Sequence, residues 1–154
     1  MRPNPVLKAR TNHHLFHRVF VYGTLMRGQL NHHWMRGAER LGGARSPRGF
    51  SLWSLGQYPV ACPEGVGCIR GEVYRLDPAH LYRLDVLEEH PQFYQRRQVA
   101  TRYGMAWIYF QPKPPGGAHR LPGGDWRRNR PAVEFRRGFQ GVEATQGRQM
   151  DRTG

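Results

Sequence analysis

The strongest helical signal in the chain, from Asp77 to Leu87, lies between strand patterns on both sides. That order limits the fold more than any other feature. Asp77-Pro78 supplies an N-cap side chain and a proline at the first helical position. Leu81, Leu84 and Leu87 recur at about one turn and give the helix a buried stripe, and Pro91 stops it. Before the helix, residues 19–24, 50–53, 58–61 and 68–76 read as extended. After it, residues 93–103 and 105–110 read as strands joined by a turn at Gly104. A short helix over 32–38 is expected to start at Asn31 and to end at Leu41-Gly42-Gly43. Regular βαβ alternation is missing, which excludes a doubly wound sheet. The expected class is α+β: a small mixed β-barrel or strongly curved sheet with one or two packed helices.

The first strand runs straight into Gly23-Thr24, and Gly28 allows a second change of direction. A core strand ending this way leaves backbone N–H groups outside the ladder, where they can hold an anion or a developing oxyanion. The same pattern also fits a plain turn after a core strand. Gly71, inside a strand pattern, marks a bulge or a close approach of another backbone. Glu64 to Gly67 reads as a turn.

The chain carries 24 Lys and Arg against 11 Asp and Glu, a formal charge of +13. Residues 1–18 and 126–154 hold 11 of those basic residues and only 3 of the acidic ones. A basic surface favours anionic partners, but the excess sits at the ends, so specific nucleic-acid binding is not expected. The proposed boundaries are an arm over 1–17, one domain over 18–126, and a basic tail over 127–154. Apolar runs are too short for a membrane span, and the first residues lack the core of a secretory signal. A cytoplasmic location is expected.

Several chemistries are excluded by the residues at hand. Ser46, Ser51 and Ser54 lie in no nucleophile elbow, and no P-loop occurs. Cys62 and Cys68 lack the spacing and the partner pair of a zinc site, so no metal and no cofactor is expected. Carboxylates remain. Asp85, Glu88 and Glu89 are spaced to share one helix face at its C-terminal end, where the dipole disfavours negative charge. They either balance the many arginines or include a carboxyl with a raised pKa, able to act as a base near neutrality.

Three blocks together carry a family resemblance. They are Tyr22-Gly23-Thr24-Leu25 after a Val-Phe-Val strand, Gly71-Glu72-Val73-Tyr74, and Leu84-Asp85-Val86-Leu87-Glu88 followed by Pro91-Gln92-Phe93-Tyr94-Gln95-Arg96. In order and separation, over about residues 18–126, the chain resembles the gamma-glutamylcyclotransferase-like family, and most closely its gamma-glutamylamine cyclotransferase branch. Glu89 and His90 differ from the corresponding positions of that branch. The resemblance implies that Tyr22, Gly23, Thr24 and Leu25 cradle the glutamyl end of a substrate. It implies that Glu88 is the catalytic carboxylate and that Tyr94 stands near the pocket. The implied activity releases 5-oxoproline and a free amine from a small γ-glutamyl compound, without metal. The alternative is a non-catalytic binder of an acidic metabolite or partner on the same fold.

Overall fold

The computed structural model describes residues 15–129. Nearly all of the expected arm and tail, residues 1–14 and 130–154, lies outside the described residues. The elements are β1 (His17–Val21), a 3-10 helix (His32–Met35), β2 (Glu39–Arg45), β3 (Phe50–Ser54), β4 (Pro59–Gly67) and β5 (Arg70–Leu76). They continue with α1 (Pro78–Leu87), β6 (Gln95–Thr101), β7 (Gly104–Phe110), β8 (His119–Arg120) and α2 (Trp126–Asn129).

Five strands form one sheet in the order β2-β5-β1-β7-β6, and three form a second in the order β4-β3-β8. β1 is central: it pairs antiparallel with β5 and parallel with β7. A strand covered on both faces needs a continuous apolar run. Val19, Phe20 and Val21 are accordingly at most 3% exposed. Register shifts at Arg40/Gly42 in β2 and at Phe50/Ser51 in β3 mark irregularities that bend the strands. The sheets are curved, as expected; the five-stranded one is mixed and the three-stranded one antiparallel, and among the described residues they do not close into a barrel. α1 packs its stripe of Leu81, Leu84 and Leu87 into the core, and Trp126 of α2 is buried as well. Among the described residues, no helix is long and apolar enough to cross a membrane.

Several local expectations are corrected. β1 already begins at His17 and ends at Val21, so Tyr22, Gly23 and Thr24 belong to the loop. Leu41-Gly42-Gly43 lies inside β2 rather than ending a helix, and a Cβ at Gly42 would collide with the Tyr103 hydroxyl. Glu64 to Gly67 lies within β4: Ser51 pairs with Cys62 but Phe50 with Gly67, so the intervening residues bulge out of the ladder. Cys68 and Ile69 precede β5. At Gly71 the close-approach reading holds, since a Cβ there would run into the Val21 carbonyl and lie 2.9 Å from Phe20 Cζ.

Candidate active site

The loop after β1 is tied down mainly through its carbonyls. Gly23 O accepts from Met26 N at 3.1 Å, and Thr24 O accepts from Asn31 N at 2.9 Å. Leu25 O lies 2.9 Å from His32 Nδ1. Among the described residues, the N–H groups of Gly23, Thr24 and Leu25 have no protein acceptor. They form a row of uncommitted donors, the arrangement that anion-binding backbone nests use. Asn31 does not cap the 3-10 helix with its side chain. Its Nδ2 donates instead to Thr24 Oγ1 at 3.1 Å, holding the two ends of the loop together.

Two residues outside the loop fix its position. Gly23 passes so close to β4 that a Cβ would sit 2.7 Å from the ring carbons of Pro59. On β5, the carboxylate of Glu72 accepts from Arg27 N at 2.9 Å, from the Tyr74 hydroxyl at 2.9 Å and from Arg40 at 3.3 Å. Burial pushes the Glu72 pKa up, but these bonds outweigh it and hold the group below the ordinary glutamate value.

Glu88 arrives from the end of α1. The helix stops at Leu87, so Glu88 is its C-cap and Glu89 lies beyond it. The three acids therefore do not share one helical face. Glu89 adopts φ 53°, its N–H bonds to Val86 O at 3.1 Å, and His90 N–H bonds to Asp85 O at 2.9 Å. This is a Schellman ending with a glutamate in the position that glycine usually takes. Asp85 is claimed elsewhere: Arg96 grips it at 2.7 and 3.1 Å, and the Tyr109 hydroxyl donates to it at 2.6 Å. Arg96 in turn stacks over Trp107, 4.2 Å from the ring centroid.

These parts meet in one pocket of about 480 Å³ of empty space, its open mouth included. Tyr22, Gly23, Thr24, Leu25, Glu88 and Tyr94 all line it, together with Asn31, Tyr58, Pro59 and Tyr109. Glu88 as a residue is only partly buried, yet its carboxyl is withdrawn from water. That desolvation, with the charges of Asp85 and Glu89 added, pushes its pKa up to about 8. The tyrosines are walls. The Tyr22 hydroxyl donates to Tyr109 O at 2.7 Å and accepts from Ala61 N at 3.0 Å. The Tyr94 hydroxyl donates to Pro59 O at 2.7 Å. Burial raises both phenols well above their ordinary value, so neither is a base near neutrality. Glu88 is the one acidic side chain lining the pocket. Among the described residues, no cluster of three His, Cys, Asp or Glu could hold a metal ion.

Residues 19–128 match the family described as "Gamma-glutamyl cyclotransferase, AIG2-like". The chain belongs to this family. The gamma-glutamylcyclotransferase family protein YtfP of Escherichia coli K12 is 45% identical over 109 residues, which cover 71% of this chain and 95% of that protein. A Vibrio cholerae protein named putative gamma-glutamylcyclotransferase is 40% identical over 114 residues, 71% of this chain and 95% of its own. Among solved structures, a Pyrococcus horikoshii protein aligns with a TM-score of 0.64 at 30% identity, covering 73% of this chain and 91% of that one. The AIG2-like protein of Mus musculus aligns with a TM-score of 0.57 at 30% identity, covering 65% and 80%. For this gamma-glutamyl cyclotransferase-like chain, the family points to a small γ-glutamyl compound as substrate.

Sequence reasoning missed Glu72, Asn31 and Pro59 as parts of the site. Glu72 sits in a strand, where an acidic residue reads as solvent-facing. Its burial follows from the loop N–H and the Arg40 and Tyr74 groups that converge on it. Asp85 and Arg96 each fall in a block that was singled out, 11 residues apart. Their opposite charges were the available signal for the pairing.

Proposed function

We propose that this protein converts a γ-glutamyl compound into 5-oxoproline and a free amine, with Glu88 moving the protons. The reading rests on one observation. A single carboxyl with a raised pKa lines the same pocket as a row of unclaimed backbone N–H groups.

The chemistry suits those parts. A γ-glutamyl compound carries its own nucleophile, the α-amine. Glu88, as carboxylate, takes a proton from the α-ammonium. The amine attacks the γ-carbonyl carbon and closes a five-membered ring. Negative charge develops on the carbonyl oxygen, where the N–H groups of Gly23 to Leu25 can stabilise it. The tetrahedral centre then collapses as Glu88 returns that proton to the leaving nitrogen and the C–N bond breaks. The second proton of the ring nitrogen passes through Glu88 to the released amine, which leaves as an ammonium. The attack is intramolecular, so holding the glutamyl chain folded supplies much of the rate, with effective molarities on the order of 10⁵ M or more. No side-chain nucleophile is needed. The pocket walls of Tyr22, Tyr94 and Tyr109 limit water access to the ring-closing conformer.

The deciding experiment is 5-oxoproline release across a panel of γ-glutamyl amines and peptides, run beside Glu88→Gln. The variant is expected to keep its melting temperature and its affinity for the substrate while losing turnover by about a hundredfold or more. Undiminished release in the variant overturns the role of Glu88. Tight binding of a γ-glutamyl compound by the wild-type chain, with no release, favours the binding-protein reading instead.

A further inference from the structure

The candidate active site uses none of the exposed arginines gathered where β2 ends, β5 begins, β6 turns into β7 and α2 starts. Arg45, Arg70, Arg102 and Arg127 line one open cavity, and Arg70, Arg127 and Arg128 line a second. The two cavities share Arg70 and Arg127, so five guanidinium groups converge on one groove. We propose that this groove is a binding site for a compact, multiply charged phosphate compound, such as a triphosphate chain.

Three features of the groove carry the inference. First, Arg45 and Arg70 stand directly opposite each other in the β2–β5 ladder. Like charges in register on an antiparallel pair destabilise a sheet, and a bound anion between them would reverse the sign of that contact. Second, three arginines elsewhere on this sheet are matched by carboxylates, while Arg18 and Arg97 have none among the described residues; the groove differs in gathering its unmatched arginines in one place. Arg40 meets Glu72, Arg75 meets Glu39 and Arg96 meets Asp85. In the groove, Arg127 reaches Asp125 at 3.1 Å and Glu72 at 3.9 Å. Arg45, Arg70, Arg102 and Arg128 pair with no carboxylate among the described residues. Third, Gly43 and Gly123 line the cavities, and a Cβ at Gly43 would meet only Gly71 O at 3.8 Å, so the backbone there is open to a ligand. Arginine suits this task because its planar fork meets phosphate oxygens two at a time.

The ligand class follows from the shape of the charge. The guanidinium groups converge from four elements onto adjoining cavities rather than running along a stripe. A short chain of linked phosphates fits such a cluster, whereas a nucleic-acid backbone is read by a track of basic groups.

The test uses the full chain and inorganic tripolyphosphate, followed by calorimetry at two salt concentrations. Saturable one-to-one binding is expected, with affinity falling as salt rises. The double variant Arg70→Gln, Arg102→Gln is expected to bind at least about tenfold more weakly while keeping its melting temperature without ligand. That variant leaves residues 130–154 untouched, so loss of binding places the site in the groove. Absence of saturable binding overturns the proposal, as does binding that the double variant retains. A twenty-nucleotide single strand that binds while tripolyphosphate does not would overturn it in favour of a nucleic-acid surface. None of these readouts depends on γ-glutamyl turnover.

Discussion

At the scale of single residues, the pocket is built on groups whose neighbours leave them little choice. A carboxyl raised to about 8 is only about one-tenth ionised at pH 7. Because the proposed role of Glu88 begins with the carboxylate, kcat/KM for 5-oxoproline release is expected to rise with pH and to level off above a midpoint near 8. Asp85 contributes to that midpoint, since its negative charge disfavours a second one on Glu88. Asp85→Asn removes the charge and leaves Arg96 uncompensated, and both effects favour ionised Glu88. The midpoint should move to lower pH in this variant, and a pH–rate profile of the two proteins checks the direction. Gly23 gives a different kind of constraint. Its Cβ would sit 2.7 Å from Pro59 Cγ and Cδ, a rigid and buried ring. Gly23→Ala must therefore displace the loop. It is expected to cost roughly 1–3 kcal/mol of stability, read by denaturant unfolding. It should also lower turnover by about a hundredfold, because the donor row moves away from the reacting oxygen.

At the scale of elements, the end of α1 shows where local reasoning succeeds and where it stops. Asp77 accepts from His80 N at 2.8 Å as an N-cap should, and the leucine stripe is buried. Both were readable because capping and periodicity are local. The C-terminal end was not, because no glycine marks it: the left-handed residue is Glu89. A glutamate there carries backbone strain on the order of 1–2 kcal/mol. Glu89→Gly is expected to raise stability by about 1 kcal/mol, measured by thermal or denaturant unfolding, with the Glu88 backbone still held by Leu84 O. An unchanged or lowered stability would mean that the Glu89 side chain compensates for its own backbone strain. The loop after β1 tells the same story from the other side. Its glycine was visible, but the reason for it was not. Gly23 does not need a positive φ; it needs space beside Pro59, 36 residues later in the chain, and only the packing of β4 against the loop reveals that. Glu72 was hidden for a related reason, because its partners Arg27 and Arg40 are far away in sequence.

At the scale of the whole molecule, the two proposed sites draw on the same framework. β5 contributes Arg70 and Gly71 to the arginine groove and Glu72 to the support of the active-site loop. The fold class was legible because strand patterns flank a single strong helix. The division into two sheets was not, since β3 makes a local hairpin with β4 but also pairs with β8, setting Trp53 opposite Arg120 and Ser54 opposite His119, far away in sequence. All of the pocket lining falls between Phe20 and Tyr109, and the groove closes with Arg128. The core runs from Val19 to Trp126. A protein comprising residues 15–129 therefore retains every described apolar contact and both sites. It is expected to unfold cooperatively, with a melting temperature within a few degrees of the full chain. It should release 5-oxoproline at a rate within about twofold of the full chain, since no group assigned to the chemistry is removed. Loss of turnover with the melting temperature unchanged would mean that residues 1–14 or 130–154 complete the pocket. A collapse of the melting temperature would place part of the core outside the described residues.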